Sequence, residues 1–505
     1  MATVERVRID NPSGVRTFGA SWPLLVALLA FFLLLLNPRF NAVLRDPDTY
    51  WHLAAGHWIL ANSAVPQVDP FSHSMPGIPW TAHEWLSEVV LTSVHDVAGW
   101  TGLAVLVAVA FAGTLAYLLR FLLGRMEPIH ALLLTALAAG MLMGHMLVRP
   151  HVLVWPILAV WVGRVLDAGE SRRDPPWSAL ILMPLWANLH GSFVLGLGLS
   201  GVLALDAVLN LPAEYRRKGA VRWACFVGLA VLATMITPYG WHGLWYPVQV
   251  SGMDLALKVI GEWRSPDFQR VQILELWLML VLFVACSGRM HVPILRLIIM
   301  LGLVHLALKH QRHMSILGLV SPFLIAAPFA AVWNKTKGAM RDAESLDRIF
   351  AVFALPARRG AMAVAGTLAV LLIGAVLQTG RFSPAAESSP EAAVDAAIGA
   401  GASGPVLNSY NFGGYLIYRG IPVFIDGRAD MYGDGLLKRY MDAMGLADTD
   451  ALDKLLADYR IGWTLLGTGT PAAALLDHLP GWRRIYADGV AVVHVRDGER
   501  QSGGN

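Results

Sequence analysis

The stretch that decides the fold is residues 21–52, SWPLLVALLAFFLLLLNPRFNAVLRDPDTYWH. Its first half, residues 21–37, is an apolar run close to the roughly 20 residues that a helix needs to cross a bilayer. Its second half places two acids, Asp46 and Asp48, just beyond the end of that run. Carboxylates beside a membrane usually serve a partner, a metal ion or a proton, because they are costly to keep there. The pair is therefore the first candidate for a catalytic centre.

The composition of the whole chain is that of a membrane protein. Of its 505 residues, 56% are hydrophobic and 15% are charged, and the mean hydropathy is +0.53. Soluble domains carry about a quarter of charged residues, so we predict a polytopic membrane protein. A net charge of +3 is too small to indicate nucleic-acid binding. The two cysteines, Cys225 and Cys286, lie in apolar stretches and indicate neither a disulfide nor a cysteine metal site.

Apolar runs of about the length of a membrane span recur along the chain. They lie at 21–37, 101–121, 129–147, 152–166, 177–191, 193–210, 223–238, 273–286, 293–308, 314–333 and 361–378. We therefore predict about eleven transmembrane helices. The first run is long and no small-x-small cleavage site follows it, so we expect a retained span and not a cleaved signal peptide.

Basic residues predict the orientation of these spans, because loops rich in Lys and Arg stay in the cytoplasm. One alternate set of loops is basic and contains Arg6, Arg8, Arg16, Arg120, Arg125, Arg164, Arg172, Arg173, Arg216, Arg217, Lys218, Arg222, Lys335, Lys337, Arg341, Arg348, Arg358 and Arg359. The other set is poorer in basic residues, and residues 38–100 hold only Arg39 and Arg45. We expect the N-terminus inside and the C-terminus outside.

The composition changes near residue 380. We predict a transmembrane domain over 1–380, a linker rich in Ala, Gly, Ser and Pro over 381–403, and a small extracytoplasmic α/β domain over 404–505. Within the last domain the hydrophobic pattern predicts strands at 404–410, 421–426, 461–466 and 490–495, and amphipathic helices at 434–445 and 449–459.

The first outer loop, about residues 38–100, is long enough to indicate a function. Two segments of it, 50–61 and 82–97, mix Trp and Leu with His and Glu, as helices on a membrane surface do. Asp48 could cap a helix that starts at Thr49, whereas Asp46 has no such obvious role. The polar residues of the loop are Asp46, Asp48, His52, His57, Asp69, His73, His83 and Glu84. Glu84 could be an ordinary first-turn acid favoured by the helix dipole.

Polar residues of later loops gather on the same predicted side of the membrane. They include Arg149, Asn188, His190, Glu262, Arg264 and Arg312. Arg149 could instead reach a lipid phosphate, and Asn188 with His190 could form interhelical hydrogen bonds. In the outer domain, Asp426, Arg428 and Asp430 form either a turn held by an Asp–Arg pair or a recognition site. The clustering of these residues indicates a site more strongly than any one of them.

Six blocks of the sequence together resemble the GT-C superfamily of integral-membrane glycosyltransferases, and more closely its bacterial family-39 or mannosyltransferase-like members. The blocks are DPDTYWHLAAG at 46–56, VDPFS at 68–72, WTAHEWL at 80–86, WANLHG at 186–191, GEWRSPD at 261–267 and IDGRADMYG at 425–433. The resemblance extends over nearly the whole chain. The acid pair is its family-level mark, and here Pro47 joins the two acids.

The resemblance implies an inverting enzyme of the bacterial cytoplasmic (inner) membrane. Such enzymes move a sugar from a polyprenyl-phosphate carrier to a glycan, lipid or protein acceptor on the outer face. It implies that Asp46, Asp48 and Glu84 are catalytic, acting as a general base or through a divalent metal at the Asp46/Asp48 pair. The substrate-binding residues that it implies are His52, His83, Arg149, Asn188, His190, Glu262, Arg264, Arg312, Asp426, Arg428 and Asp430.

The chemistry of the residues fits such a reaction. A phosphate that leaves with negative charge is stabilised by cations, and the guanidinium of Arg binds phosphate through two parallel hydrogen bonds. No glycine-rich phosphate loop for a nucleotide sugar is visible in the sequence. Two other functions fit the composition: a polymerase or ligase of lipid-linked polysaccharide, and a glycan transporter or receptor. A transporter places polar residues at mid-span, whereas here they lie at helix ends, which favours an enzyme.

Overall fold

The computed structural model describes residues 19–253, 261–333, 346–448 and 450–497. Six of the basic residues used to predict orientation lie outside the described residues: Arg6, Arg8, Arg16, Lys335, Lys337 and Arg341. The described part before residue 380 contains the helices α1 (Trp22–Leu36), α2 (Asp48–Asn62), α3 (Trp85–Leu123), α4 (Pro128–Met143), α5 (Pro150–Glu170), α6 (Leu182–Leu189), α7 (Phe193–Leu209), α8 (Ala213–Thr234), α9 (Trp241–Ser251), α10 (Ile273–Cys286), α11 (Ile294–Lys309), α12 (Met314–Trp333), α13 (Leu346–Phe353) and α14 (Arg359–Thr379).

Every predicted apolar run overlaps a helix, and α10 and α12 match their runs to the residue. The predicted number of about eleven spans is not confirmed by helix length. Among the described residues, four helices are long and apolar enough to cross a membrane: α3, α5, residues 311–333 and α14. A fifth would be α1 with the 3₁₀ turn Pro38–Leu44, which is bent from it by 87°. The shorter helices α4, α7 and α10 rise only about 21–26 Å, less than the roughly 30 Å of a hydrocarbon core.

The helix α3 organises the bundle. It packs on α1, α2 and α5, and its apolar face forms much of the hydrophobic core. Gly99 interrupts it with a φ of +57°, a backbone conformation that favours glycine. The predicted surface helix at 82–97 and the predicted span at 101–121 are therefore one interrupted helix.

Charged residues join four helices where α5 ends. Arg296 of α11 contacts Glu170 of α5 at 2.6 Å and Asp206 of α7 at 3.0 Å. Arg125, just after α3, contacts Glu170 at 2.8 Å and Asp167 at 3.0 Å. We call this set, which Arg173 completes through Asp167, the far-end network. Buried charges are tolerated when they are paired in this way, and no sequence pattern predicted these pairs.

The C-terminal domain is built on a four-stranded sheet of order β1-β2-β4-β3. Its strands are β1 (Val406–Asn408), β2 (Trp463–Gly467), β3 (Trp482–Ala487) and β4 (Ala491–Arg496), and its helices are α15 (Glu391–Gly399), α16 (Gly413–Tyr418), α17 (Ala429–Gly445), α18 (Ala451–Asp458) and α19 (Pro471–Leu476). Strand β1 runs parallel to β2, and the other pairs are antiparallel. The segment predicted as a linker contains α15, which packs on β3 and β4.

One strand prediction for this domain was wrong, and one strand was not predicted. Residues 421–426 do not join the sheet, because their backbone pairs with the first outer loop: Val423 N–H donates to the Phe71 carbonyl at 3.1 Å, and His73 N–H donates to the Val423 carbonyl at 2.9 Å. Strand β3 was not predicted, because its residues are half-buried or exposed and lack an apolar run. The domain and the loop share one hydrophobic core, which includes Tyr50 and Trp80.

Candidate active site

The acid pair lies where the 3₁₀ turn Pro38–Leu44 leads into α2, whose first residue is Asp48. The Oδ1 of Asp46 accepts a hydrogen bond from the backbone N–H of Asp48 at 2.9 Å. Helix α2 starts at Asp48, with Pro47 as its N-cap residue, so Asp48 is not the N-cap that was predicted; the side chain of Asp46 instead accepts the first N–H of the helix. The helix begins one residue earlier than the sequence predicted, and this places Asp48 inside its first turn. Asp46 is 6% exposed and its second oxygen points to an arginine.

That arginine is Arg149, which precedes the first residue of α5. Its Nε lies 2.6 Å from Oδ2 of Asp46, its Nη1 lies 2.7 Å from Oε1 of Glu262, and its Nη2 pairs with Oδ2 of Asp48. We call Asp46, Asp48 and Glu262 around Arg149 the carboxylate cluster. One cation faces three acids, so the cluster carries excess negative charge when all of them are ionised.

Burial and the neighbouring charges separate the pKa values of Asp46 and Glu262. Burial raises the pKa of Asp46 to about 6; Glu262 adds to the shift and the positive charge of Arg149 opposes it. Burial also favours the neutral form of Glu262, but the charges of Arg149 and Arg312 outweigh it and lower the pKa of Glu262 to about 2. Asp46 is therefore the member whose affinity for a proton suits a general base near neutral pH.

Arg312 supplies a second cation beside the cluster. Its guanidinium carbon lies 4.5 Å from the centre of the Trp263 ring, an attractive cation–π contact. Arg312 forms no salt bridge with any described residue, but its positive charge acts to lower the pKa values of Glu262 and Glu84. Its loop is held by Gln311, whose N–H donates to the Arg264 carbonyl at 2.8 Å. Arg264 itself is exposed and contributes this backbone contact.

Glu84, at the start of α3, is surrounded by histidines. Its Oε1 lies 3.4 Å from Nε2 of His190 and 3.7 Å from Nε2 of His83, and its Oε2 lies 3.9 Å from Nε2 of His52. Burial raises the pKa of Glu84 and lowers those of His52 and His190. The other nitrogen of His52 lies 3.7 Å from Glu88, one turn further along α3. We call these five residues the glutamate–histidine cluster.

Asn188 is occupied by structural hydrogen bonds. Its Oδ1 accepts from the indole of Trp85 at 2.6 Å, and its Nδ2 donates to the carbonyls of Pro184 and Ile236 at 2.7 and 2.8 Å. The interhelical interpretation of Asn188 fits these contacts better than direct substrate binding. His190, which ends α6, points instead to Glu84.

Asp426 and Arg428 were predicted to contact the substrate. In the structure they are buried and bond to each other and to Asp69. They are 0% and 2% exposed. Arg428 donates to Asp426 at 2.8 and 2.6 Å and to Asp69 of the first outer loop at 2.6 Å. Tyr432 donates to Asp426 at 2.5 Å. The network fastens the C-terminal domain to the loop, and Gly427 lies against Asp48: a Cβ there would stand 1.8 Å from Asp48 Oδ1.

Asp430 is the member of this block that faces the site. It is half-buried and accepts a hydrogen bond from Tyr246 of α9. The ring of Tyr246 lies 5.0 Å from that of His83, so the C-terminal domain meets the glutamate–histidine cluster here. The hydroxyl of Tyr410 interacts electrostatically with Arg149 and Asp430. The sequence did not mark Tyr246, Tyr410 or Trp263 as site residues. Trp263 lies in the block at 261–267 and Tyr410 ends the predicted strand at 404–410, whereas nothing singles out Tyr246.

The arrangement does not fit a metal ion. Among the described residues, no group of three or more His, Cys, Asp or Glu side chains could hold one. Asp46, Asp48 and Glu262 all turn to Arg149, whose positive charge lies between them. No catalytic step is therefore assigned to a metal at the Asp46/Asp48 pair.

Comparison with known proteins gave no match to a protein-family model and none to a curated protein. Solved structures do resemble the chain. ArnT from Cupriavidus metallidurans bound to undecaprenyl phosphate is 14% identical, with 96% of this chain and 98% of that chain covered and a TM-score of 0.49. The apo oligosaccharyltransferase of Archaeoglobus fulgidus is 13% identical, with 88% of this chain and 69% of that chain covered and a TM-score of 0.46.

A further archaeal structure is AglB from Archaeoglobus fulgidus in complex with an inhibitory peptide and a dolichol-phosphate. It is 12% identical, with 88% of this chain and 69% of that chain covered and a TM-score of 0.44. At identities of 12–14% and TM-scores below 0.5, the roles of residues have to come from the site of this chain.

Proposed function

We propose that the chain is a membrane glycosyltransferase that takes a sugar from a polyprenyl-phosphate carrier and passes it to a glycan, lipid or protein acceptor. The observation that carries this proposal is that one site contains both a buried carboxylate and a cation without a salt bridge to any described residue. Asp46 is a buried carboxylate with a pKa of about 6, and Arg312 is a nearby cation that is stacked on Trp263. A base and a phosphate-binding cation are what such a transfer needs.

In the proposed reaction Asp46 accepts the proton of an acceptor hydroxyl as the oxygen attacks the anomeric carbon. The bond from that carbon to the phosphate oxygen breaks, and the carrier phosphate leaves with the electron pair. Attack from the face opposite the phosphate inverts the anomeric configuration. Each oxygen of Asp46 already has one partner, and each retains a second lone pair for the incoming proton.

The other residues hold these two in place. Arg149 orients the carboxylate cluster and keeps Asp46 largely ionised at neutral pH. Arg312 binds the carrier phosphate and stabilises the charge that develops as it leaves. Glu84, whose pKa is raised by burial, and the side chains of His83, His190 and Asp430 would contact the sugar or the acceptor.

The predicted topology belongs to the same proposal, because the donor has to reach the Asp46 side of the membrane. A reporter that is active only in the cytoplasm, fused after Arg217, should be active. The same reporter fused at the C-terminus should be inactive, since that end is proposed to lie outside. Activity at the C-terminus would contradict the placement of the site on the outer face.

The direct test uses the purified protein in nanodiscs and a panel of synthetic polyprenyl-phosphate sugars, with release of free polyprenyl phosphate as the measurement. We expect release by the wild-type protein and almost none by Asp46→Asn. The control is Asp96→Asn, which removes an exposed acid that pairs with His57 at 2.9 Å and lies outside both clusters. If the donor binds but no polyprenyl phosphate is released with any acceptor mixture, the result would favour a glycan receptor or transporter. If polyprenyl phosphate is released only from oligosaccharide donors, the result would favour a polymerase or ligase.

A further inference from the structure

A groove lies at the end of the bundle opposite the candidate active site. Helix α5 begins next to Arg149 and ends at Glu170, so its two ends are about 31 Å apart. The groove lies between the turn that follows α5, the Leu211–Pro212 turn and the first turns of α8. We call it the α5–α8 groove. The groove and the proposed glycosyl-transfer site therefore lie at opposite ends of α5.

One face of α8 forms a wall of this groove. Tyr215, Lys218, Arg222 and Trp223 line it, with spacings of three, four and one residue along the helix. Residues three or four apart share one side of a helix, and Trp223, eight residues after Tyr215, lies two turns further along on the same side. The side therefore presents two cations beside two aromatic rings. Arg216 lies outside the lining and donates to the carbonyls at the end of α7.

The groove has more positive charge than its own acids neutralise. Arg222 pairs with Asp174, and Arg173 pairs with Asp167. Arg172 and Lys218 also line the groove, and neither forms a salt bridge with any residue that the structure describes. Two exposed cations with no acidic partner, aimed at one cavity, favour an anionic ligand.

The surface beside the groove is apolar. Along α8 the side chains of Val221, Leu229 and Leu232 are 60%, 46% and 59% exposed. Leu205 and Leu209 of the neighbouring α7 are each 50% exposed. A ligand whose phosphate lies between Arg172 and Lys218 could extend hydrocarbon chains along this surface. Basic pockets between membrane helices bind phospholipid headgroups in this way.

We propose that the α5–α8 groove is a binding site for an anionic phospholipid, with Arg172 and Lys218 contacting its phosphate. The full-length protein, purified and stripped of lipid in detergent, is titrated with phosphatidylglycerol or with phosphatidylcholine of the same acyl chains, and bound lipid is counted by native mass spectrometry. We expect clear preference for phosphatidylglycerol. The variant R172A/K218A should bind it roughly 25-fold more weakly, about fivefold for each cation removed.

The matched control is R120A/R217A. It removes the same charge from two exposed residues near this end of the bundle that do not line the groove, and its affinity should stay within about twofold of wild type. The melting temperature in detergent without lipid checks that each variant is folded, and K218E replaces the double variant should that one unfold.

Three results would overturn the proposal. The first is equal binding of the two lipids, and the second is an equal loss of binding in the control and groove variants. The third is glycerol 3-phosphate binding as tightly as the lipid, which would identify a soluble phosphate ester as the ligand. None of these depends on glycosyl transfer, so the two proposals fail separately.

Discussion

The two ends of helix α5 hold ionic clusters of opposite design. At its end, the far-end network joins three arginines, Arg125, Arg173 and Arg296, to three acids, Asp167, Glu170 and Asp206. At its start, Arg149 contacts three acids, Asp46, Asp48 and Glu262, and Arg312 lies beside them without a salt bridge to any described residue. Balanced charges satisfy one another and hold helices together. At the start of α5, burial raises the pKa of Asp46 against the opposing charge of Arg149 and leaves a group able to accept a proton, which is the property expected of a catalytic centre.

The strongest test of this contrast is the substitution Asp46→Asn. Asparagine keeps the shape and can still accept a hydrogen bond, but it cannot take a proton at neutral pH. We expect turnover to fall at least ~100-fold, the lower range for loss of a general base, with little change in melting temperature. Steady-state release of polyprenyl phosphate measures it. Near-normal turnover by both Asp46→Asn and Asp48→Asn would remove the acid pair from the mechanism.

At the other end, Arg296→Ala should act on stability. It leaves Glu170 and Asp206 without their shared cation, and removal of one partner from a buried ion pair costs about 3–5 kcal/mol. Thermal unfolding in detergent is the measurement, with Arg289→Ala, an exposed arginine just before α11, as the control. An Arg296→Ala protein as stable as wild type would show that the balanced network is not structural.

Arg312→Ala should raise KM for the lipid-linked donor and also lower kcat. The phosphate is anionic in the ground state and gains charge as the bond breaks, so one contact contributes to both constants. We expect kcat/KM to fall roughly 10- to 100-fold, the value of a hydrogen bond to a charged group. Arg312→Lys should recover part of the activity, because an ammonium lacks the planar fork of a guanidinium. Unchanged kinetics would move the phosphate site to His190 or His313.

Gly427→Ala tests whether the C-terminal domain positions the acid pair. The added Cβ would stand 1.8 Å from Asp48 Oδ1, so Asp48 or the domain has to move. Overpacking of this kind costs about 1–3 kcal/mol, and we expect a lower melting temperature together with reduced kcat. Gly489→Ala is the control, since nothing lies within 4 Å of a Cβ there. Equal behaviour of the two variants would separate the domain from the site.

The smallest expected effect is on the pH profile. Asp46 acts as a base only when it is ionised, and its pKa is raised to about 6. The value of kcat/KM should therefore be steady near neutral pH and fall about tenfold for each pH unit below 6. An acidic limb near pH 4 would identify an unperturbed carboxylate as the base, and would weaken the link between the buried position of Asp46 and function.

Much of the membrane part was predictable because it depends on local patterns. Apolar runs identified the helices, and α10 and α12 were placed to the residue. The number of spans was not predictable, because several helices are too short for length alone to decide whether they cross a membrane. Residues 421–426 read as a strand, and they do extend, but their partner is a loop some 350 residues earlier in the chain.

The candidate site shows the same division. The sequence marked Asp46, Asp48, Arg149, Glu262 and Arg312 as polar residues at helix ends. It could not show that one guanidinium joins three of the acids, or that Arg312 stacks on Trp263. Asp426 and Arg428 looked like Asp430 in the sequence, yet only Asp430 faces the site, because the other two close on Asp69.

By itself the sequence determined that this is a helical membrane protein with an acid pair beside its first apolar run and a small α/β domain at its end. Composition and periodicity suffice for that, since each residue's preference for lipid, water or a helix is local. The tertiary structure alone decided which acids share a cation, and that Arg312 lies beside them without a salt bridge to any described residue. Those properties depend on burial and on distances of a few ångströms between residues far apart in the chain, and Coulomb interactions change steeply over such distances.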